Sequence, residues 1–154
     1  MRRSLVATAI IVLLIYLADQ LSKFLIAGKM ELYESIPIIN NFFYLTLIPN
    51  TGGAFGLLAN RTAFFIVVPA LIILLLIICF KFIPAELHYL RLGLTLQLGG
   101  ALGNLTDRLR LGHVLDFLDF RVWPIFNVAD MALVIGAFFL ALELFKLSYN
   151  KKAG

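Results

Sequence analysis

Charge and cysteine are the scarce ingredients of this chain. Only 14% of its 154 residues are charged, where an ordinary soluble domain carries about 25%. The single cysteine, Cys79, excludes an intrachain disulfide. It lies within the apolar run from Leu71 to Phe80, with no base beside it in sequence to make it a catalytic thiol. Acidic residues number nine, and the two histidines leave little material for metal ligation. His113 has Asp107, Asp116 and Asp119 nearby, but in no spacing characteristic of a dedicated zinc site. The chain also has no internal repeat, low-complexity tract or appended polar domain.

Hydrophobic residues make up 62% of the sequence, against about 45–50% in soluble domains. Water is therefore not its main solvent. The net charge of +4 and pI of about 9.4 could indicate nucleic acid. The basic residues, however, gather at the ends of apolar runs, at Arg2, Arg3, Lys81, Arg91, Lys146, Lys151 and Lys152. That placement suits anionic lipid headgroups and argues against a nucleic-acid partner.

A helix crosses the hydrocarbon with about 20 residues at about 1.5 Å each. Four stretches have that character: 4–27, 62–80, 87–106 and 127–147. Met1-Arg2-Arg3 followed by an apolar run resembles a secretory leader. The first stretch instead runs on into Asp19-Gln20-Leu21-Ser22-Lys23 without a small-x-small cleavage pattern, so a retained helix is expected. Four crossings put both termini on one side, and the terminal basic residues assign that side to the cytoplasm. Lys23, Lys29, Arg61, Arg108, Arg110 and Arg121 would then face outward, so the charge bias is moderate.

The outward regions are 28–61 and 107–126. Phe42 to Ile48 is rich in strand formers, Pro49-Asn50-Thr51-Gly52-Gly53 has turn chemistry, and Ala54 to Leu58 is apolar again. Val114 to Leu118 and Phe120 to Trp123 are also strand-like. The expected fold is an all-α membrane protein of one integral domain, residues 1–154. Its four transmembrane helices would carry a small extracytoplasmic β-sheet on the membrane surface.

Carboxylates near a bilayer are costly and demand an explanation. Measured along ideal helices, Asp19 lies about 22 Å from Ser4 and Arg108 about 30 Å from Leu87, both near the outward interface. Asp130 opens the fourth stretch on that side, and Asp116 lies in the preceding linker. Asn104 and Arg108 share a helical face, and Gly99, Gly100 and Gly103 permit close helix approach. Asn127 stands three residues before Asp130, which alone would suit a helix cap. Two aspartates sharing a proton can do more: the ionised member takes a proton from water, while the protonated member polarises a carbonyl. Carboxylates in apolar helices also mark ion paths. A transporter would distribute them through the bilayer depth, whereas here most lie at one end, Glu143 being the exception.

Four blocks of residues carry a resemblance. They are Asp19-Gln20-x-x-Lys23; Asn50-Thr51-Gly52-Gly53-Ala54-Phe55; Gly99-Gly100-Ala101-Leu102-Gly103-Asn104-Leu105-x-Asp107-Arg108 continuing to Gly112-x-Val114-x-Asp116-Phe117; and Phe126-Asn127-Val128-Ala129-Asp130. In order and over essentially the whole chain, they closely resemble the motif blocks of the bacterial lipoprotein signal peptidases, or type II signal peptidases. The resemblance implies an aspartic endopeptidase of the bacterial cytoplasmic membrane with its site at the extracytoplasmic face. It would remove the signal peptide of diacylglyceryl-modified prolipoproteins on the amino side of the lipidated cysteine.

By the same resemblance, Asp116 and Asp130 are the catalytic pair. Asn50, Gly53, Asn104, Arg108 and Asn127 surround it and bind substrate, and Asp19 and Lys23 support it. The implied partners are the prolipoprotein and membrane lipids, with a monomeric enzyme and no cofactor or metal. Because Asp130 would sit in the first turn of a helix, whose dipole and free N–H groups favour the anion, the resting proton is expected on Asp116.

Overall fold

A computed structural model describes residues 2–52 and 62–153 of the chain. The elements run α1 (Arg2–Ala27), β1 (Ser35–Ile39), β2 (Phe43–Asn50), α2 (Thr62–Phe80), α3 (His88–Leu111), β3 (Val114–Asp119) and α4 (Val128–Ala153). Gly53 and the apolar stretch Ala54 to Leu58 lie outside the described residues.

Helix α3 is the axis of the bundle, packing against α4, α1 and α2. Small residues make that possible. A Cβ on Gly93 would lie 2.8 Å from the carbonyl oxygen of Gly136, and one on Gly100 would lie 2.5 Å from that of Ala129, so α3 and α4 meet backbone to backbone. Because its neighbours cover it, α3 can be the least apolar helix: Thr95, Asn104 and Asp107 are all buried along it. Among the described residues, the other three helices alone are long and apolar enough to cross a membrane by length and composition, over Leu5–Ala27, Ala63–Phe80 and Val128–Asn150. Their outer faces expose Leu13, Leu17, Leu71, Leu75, Val134 and Phe138, an apolar surface that water would penalise and lipid does not.

The sequence pattern ends the third segment at Thr106, where its apolar run stops, but α3 continues to Leu111. It closes on Gly112 in the left-handed region (φ 78°), whose N–H donates to Arg108 O at 3.1 Å. Asp107 and Arg108 are therefore helical. The sheet is antiparallel in the order β1-β2-β3. Ile48 is paired with Asp116 and Asn50 with Val114. Strand β1 was not evident from the sequence. Phe120 to Trp123, expected as a strand, is instead a tight corner with Arg121 at φ 65°, after which Phe126 returns to bridge Leu118. Met30, Leu47, Leu115 and Phe117 form the buried core under the sheet, packed by Ile26 and Val128, so the sheet sits on the adjoining ends of α1 and α4.

Candidate functional site

The polar residues converge where β3 passes over the start of α4. Asn127 is the hub, and its local role follows from its position before the helix. Its Oδ1 accepts the backbone N–H of Asp130 at 2.9 Å, and Asp130 Oδ2 accepts the backbone N–H of Asn127 at 3.3 Å. This reciprocal cap satisfies two backbone donors that a helix start leaves orphaned. The cap also fixes which way the amide points. Asn127 Nδ2 is turned toward the interior, where it donates to Asp116 Oδ1 at 2.6 Å, Asn104 Oδ1 at 3.1 Å and Leu115 O at 3.3 Å. One completely buried side chain thus touches both aspartates.

Asp116 is buried, and both its oxygens receive an amide donor. Asn50 Nδ2 donates to its Oδ2 at 2.8 Å, and Asn50 is oriented by accepting the Gly52 N–H on Oδ1 at 2.9 Å. Burial pushes the Asp116 carboxyl up to about 6 from an ordinary 3.8, with the charge of Asp130 acting in the same direction; Asn50, Asn127 and Lys23 pull the other way. Asp130 is half-buried. Asn104 Nδ2 donates to its Oδ1 at 2.7 Å. Arg108, one turn further along α3, feels the negative charge of Asp130 most strongly, then that of Asp116. Its Nη1 reaches Asn104 O at 3.5 Å, and its guanidinium lies 5.8 Å from the Phe65 ring centroid. The sequence-chosen residues Asn50, Asn104, Arg108, Asp116, Asn127 and Asp130 are thus gathered in one cluster.

Asp19 and Lys23 form a layer beneath it. Lys23 Nζ is 2.8 Å from Asp19 Oδ2 and 2.8 Å from Asp107 Oδ2, all three side chains buried, and it donates to Asn104 Oδ1 at 3.2 Å. Asp19 Oδ1 accepts the Ala129 N–H at 2.9 Å, so α1 caps the start of α4 in trans. A Cβ on Gly103 would lie 2.5 Å from Asp19 Oδ2. Two residues of this layer escaped the sequence reading. Gln20 donates to Asp107 Oδ1 at 2.9 Å, and Asp107 Oδ2 accepts the Leu115 N–H at 3.2 Å. Their signal was adjacency to Asp19 and Arg108 within the same blocks. Among the described residues no buried side-chain nitrogen or oxygen lacks a hydrogen-bond partner. Glu143 belongs elsewhere: it accepts the N–H groups of Tyr89 and Leu90 at 3.1 and 3.3 Å, capping α3 at the opposite end.

Apolar helices enclosing a satisfied polar cluster, with two aspartates joined through one asparagine beneath a surface sheet, define a helical membrane protein with the makings of an enzyme. Two solved structures share that architecture. One, described as a bacterial membrane enzyme solved by the in meso method at 2.3 Å, superposes with a TM-score of 0.85 at 32% identity, over 94% of this chain and 91% of that one. A second of the same description, at 1.9 Å, gives a TM-score of 0.82 at 32% identity, over 91% and 93%. The family model described as signal peptidase (SPase) II matches residues 11–146. The lipoprotein signal peptidase of Moorella thermoacetica is 49% identical over 135 residues, 88% of this chain and 90% of that protein. That of Halothermothrix orenii is 49% identical over 138 residues, 89% and 94%. The chain belongs to the signal peptidase II family, whose members are membrane-bound proteases.

Proposed function

We propose that this protein is an aspartic endopeptidase that removes the signal peptide from diacylglyceryl-modified prolipoproteins, cutting on the amino side of the lipidated cysteine. The observation that carries the reading is Asn127 holding both carboxylates, Asp116 through its side chain and Asp130 through the cap. In the reactive form Asp116 carries the shared proton, burial having raised its carboxyl to about 6. Asp130, half-buried and receiving a backbone N–H at the start of α4, is the ionised one.

In the proposed reaction, water attacks the scissile carbonyl carbon, yielding a proton to Asp130 as Asp116 passes its own to the carbonyl oxygen. The neutral gem-diol then collapses: Asp130 protonates the amide nitrogen as the C–N bond breaks, and a diol hydroxyl returns its proton to Asp116. Asn104, Arg108, Asn50 and Gly53 hold the substrate main chain, and Asp19 and Lys23 brace the site from below. Four membrane crossings, with α3 as the shielded fourth, would set both termini in the cytoplasm and the site at the extracytoplasmic face of the bacterial inner membrane. The enzyme acts as a monomer without cofactor or metal. Incubating the purified protein with a diacylglyceryl-modified prolipoprotein tests this: wild type should release the signal peptide, and Asp116→Asn and Asp130→Asn should not. Intact activity in either variant would refute the assignment.

A further inference from the structure

Helices α1 and α2 both pack on α3, and the furrow between them is an apolar groove of about 650 Å³. Its walls follow from helical spacing. Leu5, Ala9 and Val12 recur on one face of α1, Leu98 and Leu102 on one face of α3, and Ile77 closes the α2 side. The two ends differ. Toward the aspartates the groove stops at Tyr16 and Thr106, whose hydroxyl oxygens lie 3.5 Å apart, and beyond them Gln20 and Lys23 tie α1 directly to α3. At the opposite end it opens on Lys81, the only charged residue of the described lining. Its floor there is Phe80, buried beneath the Arg91 guanidinium at 4.6 Å from the ring centroid, while Arg91 Nη1 donates to Ile83 O at 2.8 Å. Among the described residues the Lys81 ammonium has no acidic partner.

A lysine ending an apolar helix is ordinary, but one at the mouth of a groove closed at its other end selects what enters. From Leu5 to Tyr16 the groove runs about 16 Å along α1, about half of a hydrocarbon core roughly 30 Å thick. A membrane-spanning helix, from a partner or a second copy, needs the full depth and would meet the Tyr16 and Thr106 closure before crossing. One acyl chain of a single leaflet needs no more than the groove provides. We propose that the groove seats an acyl chain of an anionic phospholipid from the leaflet remote from the aspartates, with its phosphate paired to Lys81. Hydrocarbon gains little by leaving bulk lipid for an apolar groove, so the headgroup charge decides which lipid resides there. This site is separate from the aspartate cluster and needs only that the helices lie in a bilayer.

Native mass spectrometry of the full chain, delipidated and then given equal amounts of dioleoyl phosphatidylglycerol and dioleoyl phosphatidylcholine, tests this. Wild type should retain phosphatidylglycerol about fivefold over phosphatidylcholine, the increment expected of one basic residue at a lipid surface. Lys81→Gln should bring that ratio close to unity, and Lys81→Arg should keep it. Ala9→Phe, which fills the groove, should lower retention of both lipids. Lys146→Gln is the control, because it removes a cation at the same end of the bundle but on α4, 3.9 Å from the Tyr89 ring centroid, and it should leave the ratio unchanged. Equal retention of the two lipids by wild type, or the same loss of preference from Lys146→Gln as from Lys81→Gln, would overturn the proposal. So would a dimer that Ala9→Phe disperses, which would give the groove to a second copy of the chain.

Discussion

Replacing Asp116 by asparagine should abolish cleavage and, above about pH 6, stabilise the protein. Burial raises the Asp116 carboxyl from 3.8 to about 6, so an ionised Asp116 costs the folded state about 3 kcal/mol relative to the unfolded chain. The sign follows from which state holds the proton more tightly. Below about pH 4 both states are protonated and there is no cost; it grows between about 4 and 6 and is complete above. Asparagine removes this cost but directs an NH2 group at one of two amide donors. The donor at Asn50 is the one that can yield, since Asn50 is exposed while Asn127 is completely buried. That loss is about 1 kcal/mol, the lower end for a hydrogen bond. The variant should therefore be slightly less stable than wild type at about pH 4 and about 2 kcal/mol more stable at about pH 8. At about 2–4 °C per kcal/mol for a chain of this size, the Tm difference should move by roughly 5–10 °C across that range. Thermal unfolding in detergent, followed by Trp123 fluorescence at several pH values, measures it. A Tm difference independent of pH would refute the assignment of a buried, proton-holding Asp116.

Asn127→Ala removes a cap and leaves Asp116 Oδ1 short of a donor, so it should cost about 3 kcal/mol and eliminate turnover. Asn127→Ser, which can still cap, should recover about 1 kcal/mol in thermal unfolding but no activity. Lys23→Met leaves Asp19 and Asp107 buried without their cation and should destabilise by about 3–5 kcal/mol. Adding Asp107→Asn should restore part of that loss, and a double variant no better than the single would contradict the ion-pair account. The pH profile of kcat/KM should show an alkaline limb near 6, where Asp116 loses its proton, and steady-state rates across pH test it.

The sequence was informative wherever the cause is local. Asn127 three residues before Asp130 is a capping pattern, and the helix begins at Val128 as that pattern requires. The ends of α1 and α2 coincide with the ends of their apolar runs. What stayed hidden depends on which faces meet. Asp107 and Arg108 are adjacent in sequence, yet their side chains leave α3 in different directions, and Asp107 goes to Lys23 on α1. Glu143 looked misplaced until α3 began beside it. The Asn127 amide reaching Asp116 could not be read from spacing, because the β3 corner that returns Phe126 to Leu118 sets that contact. Phe120 to Trp123 misled because strand-forming aromatic side chains also pack as a ring cluster, Phe120 against Phe42, Phe43 and Phe126, while the backbone there turns at Arg121.

The account stands on Asp116 and Asp130 acting as one unit on one water. Single-turnover cleavage of a lipidated precursor by Asp116→Asn, Asp130→Asn and the double variant tests that most directly. Each single change should cost as much as both together, since half of a proton-sharing pair performs neither step. Losses that multiply, or a single variant retaining substantial turnover, would contradict it.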